Sequence, residues 1–402
     1  MTSFYPSKRY LHTATYVDNK LYILSGIDTL VGTITAGKQF FYLDVSVPFS
    51  TQSLLWHDLT SLNIIPSHIG AASVKGGANN NTIILYGGRN LTNIDNMALV
   101  YMFDTQTNSW NIPSIAGVSY PRRRSLTAIT DYNGKIYLFG GYLVVDNTFV
   151  NDMLILDTIN LSWGKGSSLN APVPRINYGA VILPNKNIIY IGGMSGQNES
   201  LPLNEVYMYD TVNDSWNTKT TSGSIPSNRD GLSAILGLDG QQIIIFGGKQ
   251  SGTTGNIILN DSLYTLNINT FEWNIPNISG EIPRARSYHK ANVIGKYMVI
   301  SYGSGYDQYT DSDILLLDIS NNNNYIWTTV FDSSVSMPSP SSQPSNNINS
   351  SNITPAAMAD AIVGSLFGGI LLSFGVFFLY KWNKNKQKQN HVIQIHGNSN
   401  SY

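Results

Sequence analysis

The sequence predicts an all-β protein, a six-bladed β-propeller followed by a disordered stalk and one transmembrane α-helix. Three observations carry this. A run of β-branched and aromatic residues closing on a glycine pair, Ile136-Tyr-Leu-Phe-Gly-Gly141, recurs as Ile84-Leu-Tyr-Gly-Gly88, Ile189-Tyr-Ile-Gly-Gly193 and Ile244-Ile-Phe-Gly-Gly248, with degraded copies at Leu21–Gly26 and Val299–Gly303. Each copy leads to a second apolar run ending in an acid or amide (Asp44, Asp104, Asp157, Asp210, Asn267, Asp318) and then to a tryptophan (Trp56, Trp110, Trp163, Trp216, Trp273, Trp327). Finally, 20 residues without charge, Ala361–Tyr380, stand near the C-terminus. A period near fifty residues with four short strands per period is the signature of a propeller blade.

The repeats fall at about 9–60, 61–116, 117–169, 170–222, 223–279 and 280–331, within a propeller of residues 1–331. In each, strand A carries a small residue: Ala14, Ala72, Ala128, Ala180, Ala234 and Ala291. Five places earlier stand Arg9, Ser67, Arg123, Arg175, Arg229 and Arg286. Strand B is the apolar run, and its glycines admit positive φ and close backbone approach. Strand C ends at the acid, which can bond its own backbone in the turn to strand D. Strand D begins at the tryptophan, and Trp163 is expected to be buried between sheets. The acid-to-tryptophan spacing is six residues in repeats two to five, twelve in the first and nine in the last, as expected of terminal units. Closure of the ring is expected from Thr2–Pro6 lying beside Trp327–Phe331.

Residues 332–355 turn to Ser, Pro and Asn without apolar period, the composition of an extended stalk. Residues 356–380 then supply a bilayer-spanning helix, with Ala361–Tyr380 in the lipid. Lys381, Lys384, Lys386 and Lys388 follow in a basic tail, 381–402. By the positive-inside rule the tail is cytoplasmic and the propeller extracellular or lumenal. Gly364 and Gly368 form a Gly-x-x-x-Gly stripe, from which weak homodimerisation is expected. Residues 1–8 have no basic or apolar region of a signal peptide, so one is expected to be encoded upstream. Nine Asn-x-Ser/Thr sequons precede the helix and none follows it.

Composition excludes several function classes. A net charge of −1 leaves no basic excess for nucleic acid. With no cysteine, disulfides, thiolate metal sites and cysteine nucleophiles are all absent. No Ser/His/Asp order and no phosphate-binding glycine loop is present.

The set Pro121-Arg-Arg-Arg124, Ile136–Gly141, Met153–Asp157 and Trp163, repeated over roughly residues 9–331, resembles the kelch unit. The layout is similar to fungal membrane-anchored kelch proteins, some named for likeness to galactose oxidase. The resemblance implies strand A lining the axis, strand D outermost, and ligands meeting the face built from the B–C and D–A loops. It does not carry the oxidase activity over, because that chemistry needs a Tyr–Cys cross-link. Nor does any of Glu199, Glu205, Glu272 or Glu281 start the Glu-x-x-x-Asp-x-x-x-His iron motif of kelch specifier proteins.

A residue repeated in every blade serves architecture, whereas binding breaks symmetry. The arginine column is therefore read as structural, bonding a neighbour's carbonyls or turn Asp, ahead of an anion-binding ring. His12 and His289 occupy equivalent places in the first and last blades, but no third metal ligand accompanies them. The non-repeating positions are Arg89, Tyr142, Met194 and Lys249, which open the B–C loops, together with Arg124 and Lys290 beside strand A. The last B–C loop adds Tyr306, Asp307 and Tyr309, aromatic faces beside acceptors of the kind that sugar or peptide binding uses. No catalytic residue, metal or cofactor is expected. The expected function is non-catalytic binding of a protein or glycan at a membrane. The competing readings are a cytosolic tail-anchored scaffold and a metal-dependent oxidase or isomerase.

Overall fold

A computed structural model describes residues 4–28, 35–91, 97–252, 257–258, 262–305 and 313–333. The stalk from residue 334 on, the spanning segment, the tail and the loop residues Tyr306, Asp307 and Tyr309 lie outside the described residues. The chain divides into two units, Met1–Met337 and Pro338–Tyr402. Among the described residues there is one 3-10 turn, Thr60–Leu62, no α-helix, and no helix long and apolar enough to cross a membrane.

The first unit is built from six antiparallel four-stranded meanders in the order A-B-C-D. The third sheet is representative: Ala128–Thr130, Lys135–Phe139, Met153–Asp157 and Ser162–Lys165, with Leu138 opposite both Ala128 and Leu154. Strand B is buried on both faces (Ile136 to Phe139 all 3% exposed or less), which is why it reads as a continuous apolar run without alternation. The A strands pack side by side in a closed series, each against the next and the sixth against the first. The core lies between neighbouring sheets: Phe40, Tyr22 and Phe103 pack between the first and second, and Ile245, Leu266 and Trp273 with Ile189 between the fourth and fifth.

The C–D turns form as expected. Asp157 Oδ1 accepts from the backbone N–H groups of Ile159 (2.9 Å) and Asn160 (2.8 Å), and Asn267 does the same for Asn269 and Thr270 at 2.8 and 3.1 Å. The amide therefore replaces the acid without loss of the turn.

Three expectations are corrected. In the second repeat the equivalent of Ala14 is Ser73, not Ala72: Ala14 faces Ile23, three residues before Gly26, and Ser73 faces Leu85, three before Gly88. His68, not Ser67, thus holds the arginine position there. Trp163 is only partly buried, edge-on to Tyr86 and Tyr120. Trp56, Trp216, Trp273 and Trp327 are buried; the deepest is Trp273, 0% exposed, whose indole N–H donates to the Leu203 carbonyl at 3.1 Å. Closure also differs. Val330–Phe331 pairs with Phe49–Ser50, so the long C–D connection of the first repeat supplies the edge. Of Thr2–Pro6, Thr2 and Ser3 lie outside the described residues, and Phe4 packs against Phe41 at 5.6 Å.

Candidate functional site

The glycine pairs and the arginine column form one repeated joint. Arg9, Arg123, Arg175, Arg229 and Arg286 are all at most 2% exposed. Each donates from Nη1 to the carbonyl preceding the last glycine of its own blade: Ser25, Gly140, Gly192, Gly247 and Tyr302, at 3.1 to 3.3 Å. The arginine's own carbonyl accepts the N–H of the last glycine of the preceding blade, at 2.8 to 3.0 Å, from Gly88 to Arg123 round to Gly303 and Arg9. A Cβ at the first glycine of the pair would run into the next blade's arginine carbonyl, as at Gly192 with Arg229 (2.7 Å). The column is architecture, and the carbonyls its guanidiniums bond belong to their own blade.

Two residues beyond each column position the chain enters the left-handed region: Leu11, Gly70, Ser125, Asn177, Gly231 and Tyr288, with φ between 55° and 67°. The N–H of each donates to the carbonyl of its counterpart in the preceding blade, Leu11 to Tyr288 completing the circle, at 2.7 to 3.2 Å. Six backbone hydrogen bonds thus close a ring around the axis. Backbone geometry repeats around it, while the side chains do not.

The residue after each arginine position pairs with the residue after each glycine pair: Arg124 with Tyr142, Ile176 with Met194, Asp230 with Lys249, Ile69 with Arg89. This pairing brings the symmetry-breaking positions to the mouth of the ring. Arg124 stacks its guanidinium on the Tyr142 ring at 4.4 Å and donates to Ser125 Oγ at 3.3 Å. Burial lowers its pKa, and the charge of Arg89 pushes the same way. Lys249 Nζ lies 5.1 Å from the centre of the Tyr288 ring, whose hydroxyl donates to Asp230 at 3.2 Å. Neither Arg124 nor Lys249 makes an ion pair with a described residue. One hollow is lined by Arg124, Tyr142 and Met194 together with Tyr10, Phe149 and Tyr288. A groove beside it runs from Tyr142 and Phe149 to Asn198 and Leu201. Of the sequence-predicted residues, Arg124, Tyr142 and Met194 share the hollow, Lys249 reaches it through Tyr288, and Arg89 flanks it.

Sequence reasoning missed Tyr10 and Tyr288, whose rings are 6.1 Å apart, and the groove. The Tyr288 column (Leu, Gly, Ser, Asn, Gly, Tyr) breaks symmetry as strongly as the loop openings do. The same criterion applied there finds it.

His12 and His289 both line the axial cavity, but each bonds a different serine. His12 Nε2 meets Ser301 Oγ at 3.0 Å, and His289 Nε2 meets Ser233 Oγ at 2.8 Å. Burial first, then neighbouring cations, hold His12 well below the usual imidazole range and His289 at about 3. Among the described residues no three His, Asp or Glu side chains are grouped to hold a metal.

A model of the KLHDC2/KLHL20/DRC7 Kelch-repeats domain matches residues 12–248 and 180–354. Host cell factor 1 of Homo sapiens is 27% identical over 240 residues, 55% of this chain and 11% of that protein's length. Kelch domain-containing protein 3 of Rattus norvegicus is 25% identical over 341 residues, covering 78% of this chain and 85% of the relative. The solved structure of YjhT has the same fold, with a TM-score of 0.60 at 15% identity over 80% of this chain and 98% of that one. Repeated joint, closed backbone ring and family match agree: the chain belongs to the kelch-repeat family.

Proposed function

We propose that this chain is a six-bladed kelch propeller that binds a protein partner, without catalysis, at the mouth of its backbone ring. The observation carrying this reading is the convergence of non-repeating side chains there. Arg124 and Lys249 are stacked on tyrosine faces and not matched to carboxylates. Stacking holds each cation in place without neutralising it, which suits an acidic segment of a partner, with Tyr10, Tyr142 and Tyr288 supplying apolar contact. Asp230, the acid beneath them, is 0% exposed and occupied by Ser200, Ser251 and Tyr288. It therefore does not compete.

Residues 332–355 act as a stalk and Ala361–Tyr380 as the anchor, with the propeller extracellular or lumenal, the lysine-rich tail cytoplasmic, and the Gly364/Gly368 stripe giving weak self-association. The sequons support that orientation: Asn80, Asn160, Asn198, Asn213 and Asn277 are exposed, while Asn90 is 5% exposed.

Proximity labelling around the full-length chain, repeated with Arg124→Ala/Lys249→Ala, tests the binding site. Partners lost from the double variant while its unfolding curve is unchanged support it; an unchanged partner set overturns it. A glycan array identifying sugars as the only ligands also overturns the protein-binding reading. Glycosidase treatment tests the orientation: a mass shift is expected, and its absence places the propeller on the cytosolic side.

A further inference from the structure

The mouth is one end of an axial channel, and the inside of that channel has its own chemistry. All six left-handed residues line a cavity of about 100 Å³ at the ring, and a second of about 550 Å³ continues along the A strands. Thr127, Ala180, Ala234 and Lys290 line both, so the two are continuous. Leu126 and Ala291 also line both, and of these shared residues Lys290 alone carries a charge.

Lys290 makes no hydrogen bond or ion pair through its ammonium with any described residue. Desolvation alone lowers its pKa. Two residues along, on the same face of Lys290–Ile294, Asn292 has a buried Nδ2 with no acceptor, and it too lines the larger cavity. Residues i and i+2 of a strand are about 6 to 7 Å apart, a span that one small polyatomic ion bridges. The remaining titratable groups facing Lys290 are known. His12 and His289 are neutral and buried, and Lys290 is among the charges that keep them so, with Arg9 and Arg286 behind them. Lys75, Asp131, Tyr16 and Tyr132 lie along the larger cavity, and no charge of Asp131 is felt at Lys290. The fourth and fifth A strands offer Ala180, Ile182, Ser233 and Ala234.

Lys290 is half-buried, and an ammonium that is partly dehydrated in a narrow channel with no counter-charge either loses its proton more readily or favours an anion beside it. We propose that the axial channel is a binding site for a small oxyanion, held by the Lys290 ammonium and the Asn292 amide. Sulfate, phosphate and a short carboxylate share the required chemistry: negative charge with oxygen acceptors on two sides. Lysine suits this role as a point charge that needs no planar partner. Binding is linked to protonation. The anion favours charged Lys290, so each bound ion draws a proton onto it, and affinity falls by up to tenfold per pH unit once the pH exceeds the pKa of the empty site.

The site is independent of the mouth reading, and calorimetry on the full-length chain in detergent micelles separates them. Sodium sulfate is titrated at constant ionic strength at pH 6, 7.5 and 9, in buffers of differing ionisation heat. One saturable site is expected, weakening as pH rises, with proton uptake visible as a buffer-dependent heat. Lys290→Met should abolish it, while Lys249→Met should leave it intact even where partner binding is lost. Lys290→Met removes a half-buried charge that has no described partner, so it should fold and be about as stable as the parent without anion. Sulfate binding unchanged in Lys290→Met, binding lost equally in Lys249→Met, or no saturable binding to the parent at pH 6 each overturns the proposal.

Discussion

His12, His68 and His289 are the side chains whose altered titration falls nearest to neutral pH. Burial keeps all three neutral, His68 at about 4 and His289 at about 3, against about 6.5 in an unfolded chain. Because the folded values are depressed, the unfolded state takes up protons first as pH falls through 6.5. Stability is therefore fully present above that value and is lost on acidification until the folded values are reached. Each histidine should cost about 2 kcal/mol between pH 7 and pH 5. Urea unfolding at those two pH values measures the drop, and His289→Asn should shrink it by about that amount; an equal drop in the variant would place the titration elsewhere. At this scale sequence reasoning recovered the histidine equivalence but not their serines, which lie 289 and 56 residues away in sequence. The tryptophan column shows the same limit. Position in a repeat fixes the strand, while burial depends on what the neighbouring blade supplies. Trp273→Ala should cost about 3–5 kcal/mol, the range for a fully buried aromatic, and Trp163→Ala clearly less. Equal losses on thermal unfolding would contradict the difference in burial.

At the scale of the element, strands B and C were legible because apolar runs and turn acids are local signals. The short strands between blades were not. Ser222–Gly223 runs parallel to Glu272–Trp273, and Ile278–Gly280 runs parallel to Tyr325–Trp327, so the chain leaving one blade becomes a fifth strand on the next. Two or three residues carry too little periodicity to be read. Their mark is a glycine followed by proline, Gly223-Ser-Ile-Pro226 and Gly280-Glu-Ile-Pro283, which looks like an ordinary loop. Gly280 has φ +84°, and a Cβ there would overlap the Trp327 carbonyl oxygen, part of the pairing itself. Gly240 has φ +66° with its nearest neighbour 3.6 Å away. Gly240→Ala should cost about 1–2 kcal/mol from backbone strain alone, and Gly280→Ala more, because the parallel pairing must also give way. Chemical denaturation of the two variants decides it, and equal costs would mean that the pairing contributes little. The one-residue shift at His68 and Ser73 has a similar origin. Alanine occurs at both Ala71 and Ala72, and only the pairing of Ser73 with Leu85 settles the register.

For the whole molecule, closure decides whether six sheets behave as one cooperative body or as a row of repeats that frays from its ends. The ring bonds at the axis join Leu11 to Tyr288 and Gly303 to Arg9, but backbone bonds alone leave the outer edge of the first and sixth sheets open. That edge is fastened by Val330–Phe331 on Phe49–Ser50, with the Phe49 and Phe331 rings stacked at 4.7 Å and 10° and Tyr297 5.0 Å from Phe331. Sequence reasoning assigned the extra length of the first repeat's C–D connection to terminal irregularity, because nothing local announces a partner some 280 residues away. If the clasp joins the ends, the two phenylalanines must act as a pair. Phe331→Ala should cost about 3–5 kcal/mol, since its side chain is 2% exposed, and the half-buried Phe49→Ala less. The double variant should fall short of the sum by about 0.5–1.5 kcal/mol, the coupling of a stacked aromatic pair. Phe331→Ala should also broaden the unfolding transition as the first and sixth sheets separate before the rest. Strict additivity with an unbroadened transition would mean that the backbone ring at the axis alone keeps the molecule closed.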